Sequence, residues 1–265
     1  MTLIYVFASY LALGALAGTV AGLFGIGGGL IIVPVLIFSF ALQGVSPEVA
    51  AHVAVGTSLA TIVFTSISSI RSHNARGAVR WELFRPMTVG IVVGAVLGAW
   101  SASLMSGQTL KLVIGVFAIL VALKMITGAN PKPGRDVPGG AGLTAAGGGI
   151  GWASAIFGIG GGTITVPYLS WCNVRMQEAV ATSAACGLPI AIAGALGNMW
   201  TGWGHANLPE YSLGFIYLPA LLGIILTSVP FAKVGAALAH RLDAIVLKRT
   251  FAIILIIVGL RFLLS

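Results

Sequence analysis

Apolar residues run in long blocks along nearly the whole chain, broken by short polar turns. Blocks at residues 3 to 23, 49 to 70, 86 to 104, 109 to 127, 141 to 157, 178 to 199, 211 to 231 and 244 to 264 predict helices. Most have the length, about 20 residues, that carries a helix across the hydrocarbon core of a bilayer. Two shorter apolar segments, 30 to 42 and 163 to 173, are too short to cross comfortably unless the bilayer is thin there or they enter only part way. Each follows a glycine cluster, Gly25-Ile-Gly-Gly-Gly29 or Gly158-Ile-Gly-Gly-Gly162, which costs helix stability at every position and predicts a break.

The two clusters belong to one repeated stretch. Phe-Gly-Ile-Gly-Gly-Gly, three variable residues and Val-Pro occur at residues 24 to 34 and again at 157 to 167, a constant offset of 133. Ala54-Val-Gly-Thr-Ser58 aligns with Ala179-Val-Ala-Thr-Ser183 at an offset of 125, and Leu110 to Met125 aligns with Leu247 to Phe262 at 137. The chain is therefore read as an internal duplication. Residues 1–127 form the first repeat, 128–140, rich in proline, glycine and charge, form a linker, and 141–265 form the second repeat.

Composition narrows the class. At 58% hydrophobic and 8% charged, with a mean hydropathy of +1.04, the chain has too little polar surface to coat a water-soluble globule. A net charge of +8 does not point to nucleic acid, because the basic residues stand singly at the ends of apolar blocks. The first 22 residues lack a basic leader and have an internal counterpart in the second repeat, so they are expected to be mature protein. Cys172 and Cys186 have neither metal nor disulfide spacing and are expected in the core.

Charge also orients the repeats. Loop 71 to 85 carries Arg71, Arg76, Arg80 and Arg85, whereas its counterpart at 200 to 210 has no Lys or Arg. Turn 105 to 108 has none either, whereas its counterpart at 232 to 249 has Lys233, Arg241, Lys248 and Arg249. The positive-inside rule places the basic loops and the linker in the cytoplasm and the uncharged loops outside, so the repeats are inverted. The expected fold is an all-α polytopic membrane protein of two inverted-topology repeats, each with a glycine-broken helix pair and three spanning helices. The broken pair is either two crossings or a re-entrant hairpin. Either choice puts both chain ends outside, to which Arg261 is a mild objection.

A helix that starts inside a membrane leaves its first amides unpaired, and lipid cannot satisfy them. With the positive end of the helix dipole these amides form an anion site. The expected substrate-binding residues are Gly25, Gly27, Gly28 and Gly29 at one break and Gly158, Gly160, Gly161 and Gly162 at the other. The matched hydroxyl pairs Thr57-Ser58 and Thr182-Ser183 are candidates to donate to an oxyanion or to bond back to their own helices, and Asn198 is a further candidate. No acidic or basic residue falls in the middle of a span, so the anion is expected to be held loosely by dipoles and hydroxyls. Glu48, His52 and Glu178 are the candidates for proton coupling, with interfacial structural roles as the alternative. The ridges Gly14/Gly18/Gly22 and Gly90/Gly94/Gly98 are assigned to close helix packing. Trp200, Trp203 and His205 read as interfacial. No metal, cofactor or catalytic constellation is expected.

The twin Phe-Gly-Ile-Gly-Gly-Gly motifs with Val-Pro, the downstream Gly-Thr-Ser and Ala-Thr-Ser, and the length near 265 residues resemble the sulfite/sulfonate exporter family of the TauE/SafE type, also called the 4-toluene sulfonate uptake permease family. The resemblance covers essentially the whole chain. It implies a multi-pass permease of the bacterial inner membrane for small organosulfonates or sulfite, and export is the expected direction because the membrane potential alone pushes an anion outward. Uptake of sulfonate, sulfate or another small anion, with or without proton coupling, is the alternative. The expected partners are a small anionic substrate and the lipid bilayer, with assembly into a homo-oligomer left open. Ala181 stands where Gly56 stands in the first copy, so the two half-sites need not be equivalent.

Overall fold

The computed structural model describes residues 3–24, 28–128, 134, 136–239 and 244–264. Among these the chain forms ten helices: α1 (Leu3–Phe24), α2 (Gly29–Leu42), α3 (Pro47–Asn74), α4 (Trp81–Ser103), α5 (Gly107–Thr127), α6 (Gly140–Phe157), α7 (Gly162–Trp171), α8 (Met176–Thr201), α9 (Leu218–Ala239) and α10 (Ala244–Leu264). Four of them, α3, α4, α5 and α8, are long and apolar enough to cross a membrane. Their outward faces carry large apolar side chains such as Val89, Val93, Leu120 and Leu196, which suit contact with lipid and not with water. The chain is a helical, multi-pass membrane protein.

The short helices end alike. Gly44 (φ +75°) and Asn173 (φ +60°) take the left-handed conformation just past α2 and α7. Val45 N–H then donates back to Phe40 O and Val174 N–H to Leu169 O, closing the helix ends. Only glycine and asparagine take that conformation cheaply, which explains the residue choice in both turns.

The helices pair across the chain's midpoint. α1 packs along α9 with rising residue numbers on both: Gly14 faces Ile224 and Thr227, and Gly18 faces Ser228. α4 and α6 run parallel in the same way, Gly90 against Thr144, Gly94 against Gly148 and Gly98 against Trp152. A Cβ at Gly94 would stand 2.0 Å from the Gly148 carbonyl oxygen, so these ridges are where backbones touch. α3 and α8 run antiparallel, with Leu59 beside Gly194 and Ser66 beside Gly187. α5 and α10 also cross in opposite directions, with Gly115 against Gly259. α3 lies at the centre, in contact with α2, α5, α8 and α9, and residues 49 to 62 along it are all buried.

Two expectations from the sequence need correction. The block 211 to 231 is not one helix. It opens with a hairpin, β1 (Ser212–Leu213) paired antiparallel with β2 (Ile216–Tyr217), so α9 starts at Leu218 and runs on to Ala239. The hairpin was indistinguishable from helix because Phe215, Ile216 and Tyr217 are buried and apolar, and a short buried strand carries no periodic signature. Tyr211 (φ +65°) and Gly214 (φ +56°) make the turns. Likewise α4 starts at Trp81 and not at 86: Leu83 and Met87 are buried, so its apolar face extends through the charged stretch before Pro86. Cys172 and Cys186 are both free and buried.

Candidate functional site

The second break is described throughout. α6 ends as Gly158 turns left-handed (φ +64°) with its N–H on Ser154 O, and Ile159 N–H donates to the same carbonyl at 3.0 Å. α7 then starts at Gly162 with Gly161 as its N-cap, and no side chain caps its first amides. Its first closing bond is Thr165 N–H to Gly161 O, 2.8 Å. α2 starts in the same manner at Gly29 after Gly28, again without a side-chain cap, and Ile31 and Ile32 N–H both donate to Gly28 O. Pro34 and Pro167 lie inside the short helices and supply no N–H, so each removes one backbone bond near its helix start. Gly25 and Gly27 lie outside the described residues.

The two breaks meet. A Cβ at Gly29 would stand 2.6 Å from the Gly158 carbonyl oxygen and 2.9 Å from Ile159 Cα, so the start of α2 touches the end of α6 backbone to backbone. α3 and α8 flank the contact. Ser58 Oγ donates to Gly158 O at 2.7 Å, Ile62 reaches both Gly29 and Gly160, and Ser183 O and Gly187 N lie 2.7 and 3.3 Å from where a Cβ of Gly161 would be. Gly29, Gly158, Gly160, Gly161, Ser58 and Ser183 are thus brought to one buried place, with half-buried Gly28 preceding Gly29 and Gly162 beginning α7 beside them. What this arrangement offers is a cluster of uncapped amides and a free hydroxyl, since Ser183 Oγ is buried with no partner among the described residues.

The threonines do something else. Tyr217 N–H donates to Thr57 Oγ1 at 2.9 Å, and Arg80 N–H donates to Thr182 Oγ1 at 3.0 Å. Tyr217 and Arg80 each immediately precede the helix that follows, α9 and α4. The two aligned threonines therefore hold the starts of two aligned helices, each from the opposite half of the chain. Asn198 is also displaced from the breaks: its Nδ2 donates to Gly194 O at 2.9 Å, its Cβ packs on Gly56, and its carbonyl accepts from Phe215 N–H at 3.2 Å. It anchors the hairpin.

Glu48, His52 and Glu178 stand apart from the breaks. His52 is buried with Nδ1 3.2 Å from Glu48 O and Nε2 3.1 Å from Ala102 O, and its ring stacks on Phe215 at 5.0 Å. A neutral imidazole carries one N–H, so it donates to only one of these carbonyls at a time. The Glu48 carboxylate accepts from Asn207 Nδ2 at 2.7 Å. Glu178 is paired with Arg80 at 3.1 Å and with Arg175 one helical turn away. Glu82 and Glu178 together hold the Arg80 guanidinium firmly in its charged form. Among the described residues no three His, Cys, Asp or Glu side chains gather as a metal site would require.

Sequence reasoning passed over Thr165, fully buried with its hydroxyl unpaired, one turn into α7. The signal was present in the comparison of the two copies, where Gly-Gly-Gly-Thr-Ile-Thr-Val-Pro replaces Gly-Gly-Gly-Leu-Ile-Ile-Val-Pro.

Comparison with known proteins agrees with a multi-pass membrane protein. The family described as Sulfite exporter TauE/SafE matches residues 10–262. A protein of Haemophilus influenzae named "Probable membrane transporter protein" is 37% identical over 263 residues, covering 96% of this chain and 97% of its own. The "Probable membrane transporter protein YunE" of Bacillus subtilis is 28% identical over 96% of both chains. A similarly named protein of Methanocaldococcus jannaschii is 28% identical over 95% of this chain and 93% of its own. No solved structure matches.

Proposed function

The chain belongs to the sulfite exporter TauE/SafE family of membrane transporters, and from that premise we propose that it exports small organosulfonate or sulfite anions across the bacterial inner membrane. The anion is held at the meeting point of the two breaks, where the uncapped starts of α2 and α7 are its candidate donors. The observation that carries this reading is the contact of Gly29 with Gly158 and Ile159, which sets the uncapped start of α2 against the break that leads into the uncapped start of α7, with the Ser183 backbone beside that break. Free amides and the positive helix ends favour an anion there.

Inverted repeats are the expected frame for such a site. The directions of the helices support them: α3 against α8 and α5 against α10 are antiparallel, whereas α1 with α9 and α4 with α6 are parallel. Exchanging the first five helices for the last five turns this set of neighbours into itself. Transport would proceed by one half rocking against the other, with the Thr57 and Thr182 bonds moving as parts of the two halves' seam. No acidic or basic residue lies at the breaks, so binding is weak and release is easy. The membrane potential drives an unaccompanied anion outward, by about 2.3 kcal/mol per charge per 100 mV.

Thermal unfolding of the purified protein tests the site. Sulfite, methanesulfonate or an aromatic sulfonate should raise Tm in a concentration-dependent way, and Gly160→Leu should abolish that rise while leaving the ligand-free Tm near its original value. An added Cβ at Gly160 meets only Ile62, at an ordinary 3.5 Å, whereas one at Gly29 or Gly161 would strike backbone, so Gly160 is the glycine of the breaks that best tolerates a side chain. An unaltered anion response in this variant would sink the reading. Proton-coupled uptake is the second reading, favoured by the buried His52 between two carbonyls. It requires flux that follows a pH gradient at zero potential and disappears in His52→Ala.

A further inference from the structure

The two breaks are built alike but lined differently. Beside α7, Thr165 Oγ1 is fully buried and unpaired, 3.2 Å from the position a Cβ of Gly161 would take. Ser183 Oγ, also buried and unpaired, belongs to the residue whose carbonyl is 2.7 Å from that same position. On the neighbouring turn of α8, Gly187 leaves space in which the Ser66 hydroxyl would be 3.1 Å from an added Cβ. The aligned positions in the first half hold no such groups. Thr165 corresponds to Ile32, which is buried in the main core, and Gly187 corresponds to Ile62. Ser58, the counterpart of Ser183, is already committed to the Gly158 carbonyl. Ile62 fills the gap, within 3.0 and 3.5 Å of the Cβ positions of Gly29 and Gly160.

Buried hydroxyls normally find partners, and two that lack one beside an uncapped helix start are available to a ligand or to ordered water. We propose that the second break alone binds the oxygen atoms of the anion, through the hydroxyls of Thr165 and Ser183 and the first amides of α7, while Ile62 forms the apolar wall against which the rest of the substrate lies. This rests on the reading that the breaks hold the transported anion. The site then takes a single-headed oxyanion whose remaining substituent is small and apolar, and Ile62 sets how large that substituent is. A molecule with an anionic group at each end would have no second polar half-site to enter.

The experiment is flux into proteoliposomes for sulfite, methanesulfonate, ethanedisulfonate and benzenesulfonate. The proteins compared are the original, Thr165→Val, Thr165→Ser, Ser183→Ala, Ile62→Ala and Gly160→Leu, each with its Tm. Thr165→Val and Ser183→Ala should raise the half-saturating concentration of the monosulfonates by about tenfold, the loss of one hydrogen bond to a charged group, with Thr165→Ser close to the original. Thr165→Ser keeps the hydroxyl, so it separates loss of the group from any loss of packing in the valine variant. Ile62→Ala should shift preference toward benzenesulfonate, and ethanedisulfonate should be the poorest substrate throughout. If Gly160→Leu stops flux while Thr165→Val and Ser183→Ala stay within about twofold of the original, the assignment to the second break is overturned and the shared site stands. Normal flux in Gly160→Leu overturns the shared site and this assignment with it. Unchanged selectivity in Ile62→Ala, or efficient ethanedisulfonate transport, overturns the one-headed substrate.

Discussion

The start of α2 and the start of α7 are two versions of one device, and the way they differ separates architecture from recognition. Both follow the same glycine motif, both lack a side-chain cap, both carry a proline inside the short helix, and both helices close on a left-handed residue. Thr57 and Thr182 repeat too, each taking a backbone N–H from the residue that precedes α9 or α4. What is repeated holds the backbone. What is not repeated is the lining: Thr165 and Gly187 on one side, Ile32 and Ile62 on the other. A backbone device used twice needs its clasps twice, whereas the unsymmetrical ligand proposed above needs its polar contacts once.

The largest expected effect tests the backbone part of this comparison. Gly29→Leu places a side chain against the Gly158 carbonyl and Ile159 Cα, and Gly94→Leu places one against the Gly148 carbonyl. Neither backbone can withdraw without separating helices, so both variants should yield little monodisperse protein in size-exclusion chromatography, whereas Gly160→Leu should elute normally. Equal yields for all three would break the distinction between glycines that seat backbone and a glycine that faces the site.

Next in size are the clasps. Thr57→Val and Thr182→Val each leave an N–H without its acceptor, buried at Tyr217 and half-buried at Arg80, at a cost of about 1–3 kcal/mol. The comparison is sharpened if the two Tm losses are similar, and broken if one variant is neutral.

The serines should behave in opposite ways. Ser58→Ala removes the donor to the Gly158 carbonyl and should destabilise by about 1 kcal/mol, while Ser183→Ala removes an unpaired hydroxyl and should leave Tm unchanged or slightly higher in the absence of anion. Smallest is Glu178→Gln. It breaks pairs with Arg80 and Arg175 near the surface, so its effect on Tm should be slight and should fade as salt is raised.

Much of this fold was legible in the sequence because the membrane enforces simple signals. Block lengths located α5, α6 and α10 to within two residues at each end, and the repeated glycine motif marked where α2 and α7 begin, although the similar cluster Gly147–Gly151 runs unbroken through α6. The same reading failed at the hairpin before α9, where burial made a strand as apolar as a helix, and at the start of α4, where a charged stretch concealed Leu83 and Met87. At the site, composition identified the polar groups but not their partners. The hydroxyl of Thr57 has the same chemistry whether it faces an anion or the amide of Tyr217, and the choice depends on a segment 160 residues away in sequence. The partners of Asn198 were hidden for the same reason, since the hairpin it anchors was not foreseen. Thr165 was passed over because a lone threonine in an apolar helix is common, and it gains meaning only beside Gly161 and Ser183.

The central claim is that the meeting of the two breaks is the anion's place in the membrane. Its most direct test is sulfonate efflux from proteoliposomes under an imposed potential, comparing the original protein with Gly160→Leu at equal reconstituted amounts and matched Tm. The account predicts potential-driven efflux from the original and a background rate from the variant. Efflux from Gly160→Leu at the original rate would contradict it.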